Sequence, residues 1–113
     1  MAYYAFANPV LPGKAGEWKE LINEMNGPRS KEREESRKRV GLTTERVWLQ
    51  HTKTGDLAVV YWEAGDIGKV FEGFINSNVP FDKWFREKIL VGVHGMDVSY
   101  PPPMNELLVD FKR

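Results

Sequence analysis

Two runs of β-forming residues joined by a tight turn signal constrain this chain more than any other feature. In TERVWLQHTKTGDLAVVYWEA, residues 44 to 64, strands over 44–52 and 57–64 flank Lys53-Thr54-Gly55-Asp56, the residue chemistry of a hairpin. Centring the turn on Thr54-Gly55 sets Arg46 opposite Glu63, Trp48 opposite Tyr61 and Gln50 opposite Val59. An ion pair and an aromatic pair then fall in one register. Side chains alternate along a strand, so the other face carries Val47, Leu49, His51, Ala58, Val60 and Trp62. That face is the more apolar and is expected to lie beneath helices.

Helical patterns flank the hairpin on both sides. Trp18, Leu21, Ile22 and Met25 fall at i, i+3, i+4 and i+7, one face of a helix, which Asn26-Gly27-Pro28 interrupts. After the hairpin, Asp66 is placed to cap a helix whose Ile67, Val70, Phe71, Phe74 and Ile75 share a face. Ser77-Asn78 stops it, and Pro80 starts a second helical piece marked by Phe81, Trp84, Phe85 and Ile89. AYYAFAN, residues 2 to 8, reads as a first strand. VHGMDVSY, residues 93 to 100, alternates as a fourth, with His94, Met96, Val98 and Tyr100 on one side. Three prolines at 101–103 force an extended exit into a tail over 101–113, where Leu107, Val109 and Phe111 alternate like a short terminal strand.

The run RSKEREESRKR, residues 29 to 39, has no apolar residue and carries six positive charges against three negative. Lys31/Glu35, Glu34/Lys38 and Glu35/Arg39 are opposite charges at i,i+4. Interleaved acids favour a solvated helical face over an anion site.

The whole chain has 113 residues, with sixteen basic side chains balancing sixteen acidic ones. One domain is expected, and no net field draws it to nucleic acid or anionic lipid. The absence of cysteine removes thiol chemistry, disulfides and cysteine zinc sites. With no basic leader before the first strand and no run of 18 apolar residues, a soluble, cytoplasmic protein is expected, away from membranes.

The order strand, helix, strand, strand, helix, strand is the ferredoxin-like βαββαβ pattern: an α+β sandwich with a four-stranded antiparallel sheet and helices on one face. In FANPVLPGK leading into a helix, in VWLQHTKTGDLAVVYWEAGD, and in the interrupted helix that follows, the chain resembles the dimeric α/β-barrel proteins. It is most similar to their small bacterial members of unassigned role, over most of residues 2–100. The resemblance implies a homodimer with two sheets face to face, helices outside and a pocket between each sheet and its own helices. That superfamily includes cofactor-independent oxygenases, small polyketide cyclases, isomerases and haem enzymes. A dimer is also expected from the residues themselves. The sheet face away from the helices carries Trp48, Leu57, Val59 and Tyr61, an apolar patch that a monomer leaves wet, and the LLVDF tail is suited to cover a partner's sheet edge.

His51 and His94 are the only histidines. In ferredoxin-like order their strands are opposite edges, roughly 14 Å apart at three strand spacings, too far for one metal ion to bridge. His51, near Trp62 on the apolar face, is the candidate catalytic base; a hydrogen-bonded structural histidine is the commoner outcome in such a place. Tyr4, Trp62, Trp84, His94 and Tyr100 are the candidate ligand-binding residues for a planar apolar molecule. Phe71 and Phe74 are expected in the core, and Asp66, Asp82 and Glu87 as caps and surface charges. No nucleotide loop, nucleophile elbow, zinc or calcium motif occurs, so no cofactor and no metal are expected. Three readings remain: a small-molecule-binding homodimer, a cofactor-independent oxygenase or polyketide-cyclase-like enzyme, and a structural or regulatory dimer without a pocket.

Overall fold

The structure, a computed structural model, describes residues 1–99 and 104–113. It is an α+β fold. Strand β1 spans Ala2–Val10, helices α1 and α2 Ala15–Asn26 and Ser30–Arg39, strands β2 and β3 Leu42–Thr52 and Gly55–Ala64, and helices α3 and α4 Ile67–Asn76 and Pro80–Phe85. A π-helical segment, Arg86–Val91, continues α4. The three strands form one antiparallel sheet in the order β1-β3-β2. No helix among the described residues is long and apolar enough to cross a membrane.

The hairpin forms where its sequence places it, with a shorter turn. Thr52 pairs with Gly55, leaving Lys53-Thr54 as the loop, and Gly55 takes φ +136°, a conformation that favours glycine. Thr52 Oγ1 accepts from the Thr54 amide at 3.2 Å and donates to the Gly55 carbonyl at 2.5 Å, which pulls the turn back from Thr54-Gly55. Trp48 therefore faces Val59, Arg46 faces Tyr61 and Gln50 faces Leu57, each two residues away from the sequence-based partner. An even shift leaves every side chain on its expected face.

One face of the sheet is covered. Tyr4, Ala58, Val60, Trp62 and Ala64 are buried against the apolar stripe of α3, where Phe71 sits 4.8 Å from Trp62 and 5.9 Å from Tyr4 between ring centroids. Asp66 caps α3 by accepting from the Lys69 amide at 3.2 Å, as its position predicts. Helix α3 also closes on the end of α2, where a Cβ at Gly73 would stand 2.5 Å from Val40 Cγ1. On the opposite face Trp48 is 52% exposed.

Two expectations are corrected. Residues 93–99 form turns rather than a fourth strand. Their backbone donors are spent on the preceding helical segment: His94 N–H to Ile89 at 3.1 Å, Gly95 N–H to Val91 at 2.9 Å and Met96 N–H to Leu90 at 2.9 Å. Helical turn bonds win there over the alternating pattern. Nor do residues 107–111 form a strand; the tail is tied to β1 through Tyr3 Oη to Asp110 at 2.6 Å and Asn105 to the Ala5 carbonyl, while Leu108 and Phe111 are exposed.

The polar run 29–39 is a helix, yet it is not wholly solvated. Ser36 and Arg37 are buried. Of its expected i,i+4 pairs, Glu34–Lys38 closes at 3.3 Å, while Arg39 reaches Asp82 instead.

Candidate functional site

Between the covered sheet face and the helices lies a cavity of about 230 Å³. Phe6, Val60 and Trp62 rise into it from β1 and β3, Trp18 and Ile22 enter from α1, and Phe71 and Phe74 from α3. Ile89 and Leu90 of the π-helical segment complete the wall. Rings meeting at steep angles, such as Phe6 and Trp62 at 4.9 Å and 74°, leave space that a parallel stack would fill. Protein interiors rarely leave voids much larger than water, and an apolar void of about 150 Å³ accepts benzene. This one has room for a substituted ring.

Helix α2 supplies the polar edge. Arg33, Ser36, Arg37 and Val40 share one face at i, i+3, i+4 and i+7. Arg37 Nε and Nη2 donate to Glu45 of β2 at 2.9 and 3.3 Å, and the indole of Trp62 donates to the same carboxylate at 3.2 Å. The Arg37 guanidinium also lies over Phe74 and Phe85, at 4.9 and 4.5 Å, so its charge is both paired and stacked. Behind it, Asp82 accepts from Ser36, from Ser77 at 2.6 Å and from Arg39 at 3.0 Å. Burial alone would raise the Asp82 carboxyl, but those three hydrogen bonds and the Arg39 charge outweigh it and hold the group below the ordinary aspartate value. The sequence reading placed Asp82 on the surface; it is buried, because α4 turns its first coil toward α2.

Four other polar residues, Asn8, Asn26, Arg33 and His94, line the cavity with less support. His94 Nδ1 lies 2.9 Å from the Pro9 carbonyl, and its ring meets Trp18 edge-on at 5.3 Å. Burial lowers its pKa, with the Pro9 carbonyl opposing. A carbonyl only accepts, so Nδ1 carries the proton and Nε2 keeps a free lone pair. Asn8 stands on the floor strand. Arg33 makes no side-chain hydrogen bond, ion pair or ring contact among the described residues, and its Nε is buried without a partner.

The structure brings Trp62 and His94 into the cavity wall and leaves Tyr4, Trp84 and His51 elsewhere. Tyr4 is buried one layer away, stacked on Phe6 at 5.2 Å. Trp84 lies under Arg29 at 4.3 Å. Tyr100 lies outside the described residues. His51 shares the covered face by alternation, but β2 is an edge strand and its far half extends past the helices. The His51 imidazole is exposed at the hairpin end, 2.7 Å from Asp56, and does not line the cavity. Residues that the sequence reading missed are Arg33, Arg37, Glu45 and Asn8. The spacing of 33, 36, 37 and 40 held the signal for the arginines; a polar stripe ending in Val40 looks solvated when periodicity is sought only in apolar residues. Among the described residues no group of three or more histidines and carboxylates could hold a metal ion.

No family model matches the chain, and no curated protein or solved structure matches it either.

Proposed function

We propose that the protein binds a small apolar or aromatic molecule between its sheet and its helices, as a homodimer of the dimeric α/β-barrel kind. The cavity carries this reading: about 230 Å³ of space walled by aromatic rings and edged by an ordered arginine–glutamate pair. Apolar enclosure with a few fixed polar groups is the usual make-up of a ligand site. The strand order β1-β3-β2, in which β1 and β2 run parallel on either side of β3, supports the ferredoxin-like assignment as a split βαβ unit. Support for the dimer comes from the open sheet face, where Trp48 stands exposed beside Val59 and Tyr61.

The test of binding is a thermal-shift and tryptophan-fluorescence screen of small aromatic compounds, read through Trp18 and Trp62 in the wall. Raised midpoints in the wild type that vanish in the cavity-filling variant Val60→Phe are expected. A screen without any shift leaves the structural or regulatory dimer as the better reading. Light scattering at micromolar concentration tests the assembly: a mass of 13.0 kDa, that of one chain, refutes the dimer.

A second reading, a cofactor-independent oxygenase or polyketide-cyclase-like enzyme, is favoured by His94. A neutral imidazole with its Nδ1 proton fixed on a carbonyl and Nε2 free in an apolar cavity is suited to take a proton from an acidic C–H or phenol. Oxygen uptake with electron-rich phenols, present in wild type and lost in His94→Gln, is the expected outcome under this reading.

A further inference from the structure

Arg33 stands out among the charged groups lining the cavity. One turn along α2, Arg37 has Glu45, two phenylalanine faces and Ser36 around it. Arg33 lines the same cavity with no carboxylate in ion-pair range among the described residues, and its buried Nε donates to nothing. A buried donor without an acceptor is uncommon in folded proteins. A guanidinium is a planar fork of donors that matches two coplanar oxygens. We infer that the cavity is built for a small organic acid, with its carboxylate on Arg33 and its apolar body among Trp62, Phe71 and Trp18.

Charge and size narrow the class. The cavity wall holds two guanidinium groups and one carboxylate, Glu45, so a single added negative charge neutralises it. A doubly charged phosphate would leave the lining with an excess negative charge. Apart from Asn8, Asn26 and His94, the remaining lining is aromatic and aliphatic, which favours a ligand whose body is mostly apolar. An aryl or short alkyl monocarboxylate fits all three conditions: one charge, two coplanar oxygens and an apolar remainder.

This inference rests on the reading of the cavity as a ligand site, and matched probe pairs separate the two. Phenylacetate, hydrocinnamate and 2-naphthoate are titrated against the wild-type protein by calorimetry, each beside its neutral primary amide. Each acid is expected to bind about 10- to 100-fold more tightly than its amide, the range of a charge-assisted hydrogen-bonded pair. Arg33→Gln should erase that difference while leaving far-ultraviolet circular dichroism unchanged. Arg33→Lys, which keeps the charge without the fork, should retain part of it. Acids and amides binding equally well would overturn the carboxylate inference and leave the cavity reading standing. A preference for acids that survives Arg33→Gln would overturn Arg33 as the anchor. If no member of any pair binds at millimolar concentration, the inference and the cavity reading fall together.

Discussion

Arg33 and Arg37 occupy the same face of the same helix, one turn apart, and the protein treats them in opposite ways. Around Arg37 every charge has an answer, through Glu45, Trp62, Phe74 and Phe85, and the neighbouring Asp82 is answered by Ser36, Ser77 and Arg39. Around Arg33 there is open space and a buried donor without an acceptor among the described residues. A finished polar cluster fixes how α2 and α4 meet the sheet. An unfinished one leaves donors to spare. Under the proposed carboxylate site, the same residue type serves architecture at one end of the stripe and recognition at the other.

The sharpest way to break this contrast is to remove an answer from the finished end. Asp82→Ala strips the acceptor from two hydroxyls and from the part-exposed Arg39, and is expected to destabilise the fold by about 2–5 kcal/mol, at about 1–3 kcal/mol for each buried donor left unsatisfied. Urea unfolding followed by circular dichroism measures it. The native Asp82 carboxyl is held below its unfolded value, so its contribution is present above the unfolded aspartate pKa of about 3.9 and is lost as pH falls through the lower native one. Asp82→Asn should therefore flatten the acid limb of the stability profile.

Glu45→Gln is next in size. It keeps the shape but takes the charge from Arg37, and is expected to cost about 1.5–3 kcal/mol, the worth of a hydrogen bond to a charged group. Arg37 and the Trp62 indole then compete for the one amide oxygen that remains, which should change the near-ultraviolet signal of that ring. An unchanged unfolding midpoint would mean that Arg37 is held by its two aromatic faces alone.

Gly73→Ala tests the seam between α2 and α3 without touching a charge. The added methyl would meet Val40 at 2.5 Å, and overpacking of this kind costs about 1–3 kcal/mol. The double variant Gly73→Ala with Val40→Ala should recover part of that loss, since the two changes share one contact.

How much of this contrast the sequence carried depends on the kind of signal. The hairpin, the Asp66 cap and the apolar stripe of α3 rest on local rules of turn chemistry, capping and periodicity, so they were legible. The face of each hairpin residue was legible too, because a two-residue error in register preserves it. Residues 93–99 were misread because His94, Met96 and Val98 alternate like a strand, whereas the amides of Val93 to Met96 donate to the π-helical segment before them. The polar side of the site was hidden for a different reason. Arg33 and Arg37 gain their roles from Glu45 on another element and from a cavity that no single segment defines.

His94 is where pH probes the cavity itself. Burial depresses its native pKa, so the neutral form favours the folded state. Its contribution is complete above the unfolded histidine value of about 6.5 and declines as pH falls below it toward the native value. His94→Gln should remove the fall in stability between neutral and mildly acidic pH. A fall that survives His94→Gln would move the titrating group elsewhere.

The smallest effect is the most telling for the unfinished end. Arg33→Met keeps the aliphatic reach of the side chain and removes a buried donor that has no acceptor. Where a residue works for stability, truncating its polar end costs free energy; where its polar end is unsatisfied, an apolar replacement of similar shape is neutral or favourable. The expected change in unfolding free energy is therefore zero to about 1 kcal/mol in favour of the variant, against the large losses at Asp82 and Glu45. A loss of more than about 1 kcal/mol, beyond the scatter of ordinary surface changes, would show that Arg33 has an answer within the chain. The contrast between the two arginines would then be one of degree, and the cavity would have no claim on an outside anion.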